Sequence, residues 1–279
     1  GLSEVLPCLT AFGATVLDER PYELDLADGT HRYIYDFGVR FDTDLDEAAS
    51  ERIADAFIAG WDGRKEAGVF DRLVVSGLDW RQVTIIRALG KYLRQAGFTY
   101  SDAYVGEVYS DNPEISRLLV DYFFAKFDPA ADDAGREAAT AAIDERIETA
   151  LGDVASLDAD RVLRSSLGLL RATLRTNYFI NPDGELPTAL ALKIRPTELS
   201  FVPKPRPALE MWVYSPQVEG VHLRFGTVAR GGLRWSDRRD DFRTEVLGLV
   251  KAQMVKNALI VPTGAKGGFF PKQLPPMSD

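Results

Sequence analysis

The sequence predicts an α+β protein of several domains, and three observations carry that reading. Residues 1–62 order as helix, strand, strand, helix, residues 63–180 show helical periodicity alone, and residues 181–279 mix strands with a long helix in α/β style. A chain of 279 residues, 46% apolar and 27% charged, has ordinary globular composition. Its length suits about two or three domains.

The elements follow in order. Leu2, Val5, Leu6 and Leu9 share a helix face, and Gly13 supplies a stop. Val16–Leu26 and Tyr33–Phe41 are rich in β-branched and aromatic residues and flank Asp28-Gly29, a hairpin turn pair. From Asp46 an amphipathic helix places Ile53, Phe57 and Trp61 at steps of four. Val83, Ile86, Leu89 and Leu93 make the next stripe, capped at Asp79 and closed at Gly97. Asn112 caps a helix with Pro113 in its first turn and Ile115, Leu118, Leu119 and Tyr122 on its face. Residues 127–134 form the best internal linker. Two more helices are expected, Asp132–Leu151 and Asp158–Leu174. Beyond Asn181-Pro-Asp-Gly184, strands are expected at Leu190–Ile194, Glu210–Tyr214 and Val221–Val228. Pro203, Pro205 and Pro207 interrupt the first two. A helix over Asp240–Ala258 and a short strand over Leu259–Pro262 lead into a turn at Gly264-Ala-Lys-Gly-Gly268.

Composition excludes several classes of function. A net charge of −9 argues against a chain whose overall field attracts nucleic acid or an anionic membrane. Cys8 has no second cysteine to pair with, and His31 and His222 are too far apart in sequence for a usual zinc motif, so a metal-free, cytoplasmic protein is expected. No apolar run reaches the roughly 18–20 residues of a membrane helix. The absence of a starting methionine suggests a segment of a longer protein.

Charge is unevenly spread. Ten basic and four acidic residues lie between Arg224 and Lys272, which points to a local anion site in an acidic chain. On the helix from Asp240, Phe242, Val246, Leu249 and Val250 form the apolar stripe. Continuing it reaches Gln253 and Lys256, so the inner face turns polar at its C-terminal end. An unpaired buried ammonium there needs a partner, either a structural carboxylate or an anionic ligand. Two glycine pairs frame the helix, in Arg230-Gly-Gly-Leu-Arg234 and Gly264-Ala-Lys-Gly-Gly268, and glycine lets a ligand approach backbone closely. Lys266 is not followed by Ser or Thr, so a phosphate-binding P-loop is rejected.

Arg230-Gly-Gly-Leu-Arg234, Gln253-Met-Val-Lys256-Asn257 and Gly264-Ala-Lys266-Gly-Gly268, in that order, resemble the substrate domain of glutamate dehydrogenases. Ala229–Arg238 and Phe242–Gln253 resemble the large bacterial NAD-specific form more narrowly, as do Trp80-Arg-Gln-Val83, Lys91–Gly97, Leu174–Tyr178 and Val213-Tyr-Ser-Pro216. The resemblance implies oxidative deamination of L-glutamate to 2-oxoglutarate and ammonia. It makes Lys266 catalytic, Gln253 and Lys256 the holders of the α-carboxylate, and Gly231 and Gly232 the places where backbone nears substrate. Arg230 stands where smaller relatives use a lysine for the side-chain carboxylate, a role an arginine fork can fill. A lysine amine acting as base needs positive neighbours or desolvation, and the surrounding Arg and Lys residues are expected to supply the former.

Residues 1–62 resemble an ACT-type regulatory module whose first strand lies upstream; 63–180 are expected to form a helical domain and 181–279 the first part of the catalytic domain. No Gly-x-Gly-x-x-Gly turn occurs, so NAD is expected to bind elsewhere in the full-length protein. The segment alone is expected to lack turnover, and its half-built cleft to favour self-association. The alternative is an amino-acid-sensing and oligomerisation module with an allosteric anion pocket.

Overall fold

A computed structural model describes residues 2–181, 186–226, 231–256 and 264–274, with backbone alone at residues 2, 4 and 254–256. The chain divides into two units, Gly1–Val83 and Thr84–Asp279.

In the first unit the expected order is observed: α1 (Leu2–Ala11), β1 (Thr15–Asp25), β2 (His31–Arg40) and α2 (Glu47–Trp61). The strands form an antiparallel hairpin from Thr15↔Arg40 to Asp25↔His31. Its turn needs Gly29 at φ 81, and Thr30 N–H donates to Asp28 Oδ1 at 2.9 Å. Asp46 caps α2 by accepting from Ala49 N–H at 2.7 Å. Alternation along β2 puts Tyr33, Tyr35 and Phe37 on one side. There they join Val5 and Leu9 of α1 and Phe57 and Trp61 of α2 around an apolar groove of 560 Å³. A short helix, α3 (Arg72–Val75), follows, and Lys65 and Asp71 form a buried pair at 2.5 Å beside it. Asp79 and Gln82 cap α4 (Trp80–Gln95) reciprocally, at 2.8 and 3.0 Å.

The second unit continues along α4 into α5 (Asp102–Asp111), α6 (Pro113–Phe127), α7 (Asp133–Leu151) and α8 (Leu157–Ala172). Sequence periodicity overlooked α3 and α5, which are short. Asn112 does not cap α6 through its side chain; its Nδ2 donates to Val108 O of α5 at 2.8 Å. The stretch expected to be a linker, 127–134, is a tight connection between α6 and α7, which pack on each other. Arg136 ties it down by donating to Asp128 O and Ala131 O at 3.0 and 2.8 Å.

Helix α8 ends at Ala172, not Leu174. Thr173–Thr176 is a strand, β3, because Thr173 is fully buried opposite Ile194, where a β-branched residue packs well. The strands β4 (Leu190–Ile194), β5 (Leu209–Tyr214), β6 (Val218–Arg224), β7 (Leu233–Trp235) and β8 (Ala265–Pro271) complete a sheet ordered β3-β4-β5-β6-β8-β7. Every pairing is antiparallel except β7 with β8. Strand β6 begins three residues before the expected Val221 and ends at Arg224. The expected strand at Leu259–Pro262 lies outside the described residues.

The largest departure concerns Gly264-Ala-Lys-Gly-Gly268, expected as a turn. Ala265–Pro271 is an interior strand, with β6 on one side and β7 on the other. Glycine is tolerated there because helix and neighbouring strand come too close for a side chain. A Cβ on Gly268 would run into Val246 Cγ2 of α9 (Phe242–Lys256), and one on Gly267 would meet His222 Cδ2 at 3.1 Å. One face of the sheet, with Leu192, Ile194, Trp212, Val221 and Leu223 at most 3% exposed, is covered by α4 and α9. Trp212 ties the sheet to both helices: its Nε1 donates to Ala88 O of α4 at 3.0 Å, and its ring stacks on Phe242 of α9 with centroids 6.3 Å apart.

Candidate functional site

Register places Lys266 opposite Leu223 on β6, and alternation puts it on the sheet face that α9 covers. It is half-buried, and its ammonium makes no hydrogen bond or ion pair among the described residues. Two other segments approach its strand. Gly231 lies so close to β8 that a Cβ there would overlap the Ala265 carbonyl oxygen and stand 3.5 Å from Lys266 Cδ. Gly232 O accepts from Gly267 N–H at 3.3 Å, so both glycines run along the lysine's strand. From α9, Gln253 reaches Gly264, where a Cβ would come within 2.8 Å of its amide carbon. Among the described residues Gln253 Oε1 is buried without a hydrogen-bond partner, at the head of the lysine strand.

The structure therefore brings together Lys266, Gly231, Gly232 and Gln253. Arg230 and the Lys256 side chain lie outside the described residues. The α9 stripe is rotated from the expected one: Leu247 and Arg243 are buried with Phe242, Val246 and Val250, and Leu249 is half-buried.

Four of the ten cations are drawn into ion pairs, so fewer free charges surround Lys266 than the count along the sequence implies. Arg243 is 1% exposed and lies in a bidentate pair with Glu210 of β5, both nitrogen–oxygen distances being 2.7 Å. Arg234 pairs with Glu245 at 2.6 Å, Lys272 with Glu219 at 3.1 Å, and Arg238 with Asp241. Counting charges along a sequence cannot separate a free cation from one neutralised across a fold.

The Glu210–Arg243 pair seats α9. Arg243 N–H donates to Gln95 Oε1 of α4 at 3.2 Å, and Gln95 Nε2 donates to Arg239 O at 2.8 Å. The guanidinium also lies over the Tyr92 ring, 5.9 Å from its centroid. Burial, followed by the Glu210 charge, pushes the Tyr92 hydroxyl well above its ordinary value. His222 points to the opposite sheet face from Lys266, and burial together with Arg224 lowers its pKa. Sequence reasoning missed Glu210, Glu245 and Ser236. Glu245 was visible only as one of four carboxylates in a basic stretch; Glu210 gave no signal, since its partner is 33 residues away.

Three family models match successive parts of the chain. Residues 1–53 match the glutamate dehydrogenase ACT3 domain, 66–129 its helical motif 3, and 146–279 the catalytic domain of bacterial NAD-glutamate dehydrogenase. The chain is similar to the NAD-specific glutamate dehydrogenase of Mycobacterium tuberculosis, 50% identical with 98% of the chain and 18% of the relative covered. Relatives of the same name in Halomonas elongata and Pseudomonas aeruginosa are 46% and 45% identical; 100% and 98% of the chain and 17% of each relative are covered. The chain thus spans less than a fifth of the length of these curated relatives.

Proposed function

Because the chain belongs to the bacterial NAD-specific glutamate dehydrogenase family, we propose that it supplies the glutamate-binding wall and the catalytic lysine of an enzyme that converts L-glutamate to 2-oxoglutarate and ammonia. The observation that carries this reading is the convergence of Gly231, Gln253 and Lys266 on one strand of the sheet. Gln253 offers a buried unsatisfied acceptor whose amide can turn its N–H groups toward a carboxylate. Arg230 and Lys256 bring further positive charge from sequence positions flanking the same segments. The Gly231–Gly232 backbone forms the wall along the lysine stem, and it can lie so close to β8 only because Gly231 has no side chain to meet the Ala265 carbonyl.

In this reading the Lys266 amine is the base for the water that adds to the oxidised α-carbon, after which the carbon–nitrogen bond breaks and ammonia leaves. A half-buried lysine with no carboxylate partner among the described residues suits that role, since none of their carboxylates holds its proton in a salt bridge. NAD is the oxidant of the full-length protein. Dinucleotides bind in the crevice at the carboxyl ends of parallel strands. The six-stranded sheet, antiparallel except at β7–β8, offers no such crevice among the described residues, so no step is assigned to the cofactor on this chain.

The test is Lys266→Ala in the full-length dehydrogenase, followed by NADH formation from glutamate. Loss of a positioned base should lower turnover by about 10²–10⁴-fold. Turnover equal to the parent enzyme would remove Lys266 from the chemistry.

A further inference from the structure

We propose that Glu245 is the positioning residue that holds the Gly231–Gly232 backbone wall in place against α9, the helix that carries Gln253; the inference rests on the substrate-site reading above. Glu245 lies in the first turn of α9 with its side chain 15% exposed. Both carboxylate oxygens are used. Oε1 stands 2.6 Å from Arg234 Nε, and Oε2 accepts the Ser236 hydroxyl proton at 2.6 Å. Ser236 is 2% exposed, and its Oγ also accepts from Arg238 N–H at 3.1 Å. Its one proton is therefore committed to Glu245.

Both partners sit on β7 or directly after it. That strand has three residues and lies at the sheet edge, with Leu233 71% and Trp235 58% exposed, so side-chain burial does little to hold it. Backbone bonds fasten it to β8: Gly267 N–H to Gly232 O at 3.3 Å, and Ser236 N–H to Phe269 O at 2.9 Å. Glu245 fastens it in the other direction, to the helix. The two glycines run directly into β7 and must move with it. There is no slack where Gly231 passes β8, because a Cβ there would stand 2.9 Å from the Ala265 carbonyl carbon with its oxygen closer still. Gln253 lies eight residues along α9 from Glu245, about 12 Å at the helical rise. One carboxylate thus couples the backbone wall to the helix that carries the polar group at the far end of the site. Misplacement of a substrate-positioning element by about 1 Å is enough to cost about 10²-fold in rate.

The experiment uses the full-length dehydrogenase with glutamate and NAD varied separately. Glu245→Ala should raise the glutamate KM by about tenfold or more while the NAD KM stays within about twofold of the parent value. Ser236→Ala should move the glutamate KM the same way by less, and the double variant should be no worse than Glu245→Ala, since both remove one link. Glu245→Gln keeps an acceptor for Ser236 and should recover part of the loss. A glutamate KM within about twofold of the parent in both single variants, or an equal rise in both substrates' KM, would overturn the inference. If Glu245→Ala does not fold, Ser236→Ala alone decides on the same criterion. Lys266→Ala assayed in parallel separates the two levels. Its retained activity defeats the catalytic reading while the KM comparison still judges Glu245, whereas its inactivity beside an unmoved KM in Glu245→Ala defeats the positioning inference alone.

Discussion

Truncating either member of the Glu210–Arg243 pair should be among the most destabilising single changes in the second unit. The side chains are 0% and 1% exposed, so removing one strands the other's charge where water cannot reach it. Breaking a buried pair in this way costs about 3–5 kcal/mol. Two bonds of 2.7 Å and a guanidinium lying over the Tyr92 ring put this pair at the upper end of that range. For a unit of roughly 200 residues, where each kcal/mol shifts Tm by about 2–4 °C, the loss is about 10–20 °C. Glu210→Leu and Arg243→Met should each show it in thermal unfolding followed by far-ultraviolet circular dichroism. The double variant replaces both charges with apolar groups of similar reach and should recover most of the loss, because no orphaned charge remains. Single variants within about 1 kcal/mol of the parent, or a double variant whose loss is the sum of the two singles, would refute the reasoning.

Other outcomes follow from the same geometry. Gly231→Ala must displace the backbone at Ala265, since the new carbon would overlap that carbonyl oxygen; it should destabilise by about 1–3 kcal/mol and raise the glutamate KM, and unchanged values for both would mean that the wall is looser than described. Gly264→Ala meets only the flexible end of Gln253, so calorimetric stability should change by less than in Gly231→Ala, and the reverse order would count against this packing. Burial lowers Lys126 to about 8, although nearby Glu198 acts the other way, and its ammonium donates to Leu170 O and Arg171 O at the end of α8, at 2.9 and 2.7 Å. Below pH 8 both folded and unfolded chains hold that proton; between about 8 and the free-lysine range the unfolded chain alone holds it, so this group adds stability as pH rises. Denaturation midpoints of the parent should therefore gain on those of Lys126→Met between pH 8 and 10, and a difference independent of pH would refute the shift. Lys65→Met should destabilise the first unit by about 1–3 kcal/mol, since it removes the ammonium 2.5 Å from the Asp71 carboxylate, which is 1% exposed and keeps the Gly68 N–H at 3.2 Å as a donor; an unchanged urea midpoint would argue that the buried pair adds nothing.

Local patterns were enough for the elements whose cause is local. The α1-β1-β2-α2 order, the turn at Gly29, the Asp46 and Asp79 caps, and β4 at Leu190–Ile194 depend on periodicity, capping and turn chemistry among residues a few positions apart. The motifs around Lys266, Gln253 and Gly231 were also recognisable from residue order. Their secondary structure was not: two glycine pairs suggest turns, and only the approach of Val246 and His222 explains why Gly267 and Gly268 belong inside a sheet. Charge followed the same division. The chain's composition shows an excess of arginine and lysine near its end, but whether each cation is free depends on carboxylates as distant as Glu210, brought there by strand pairing. Among the described residues Lys266 has no ion-pair partner while Arg234, Arg238 and Arg243 do, and which cation meets a carboxylate is fixed by the packing of α9 on the sheet rather than by sequence separation.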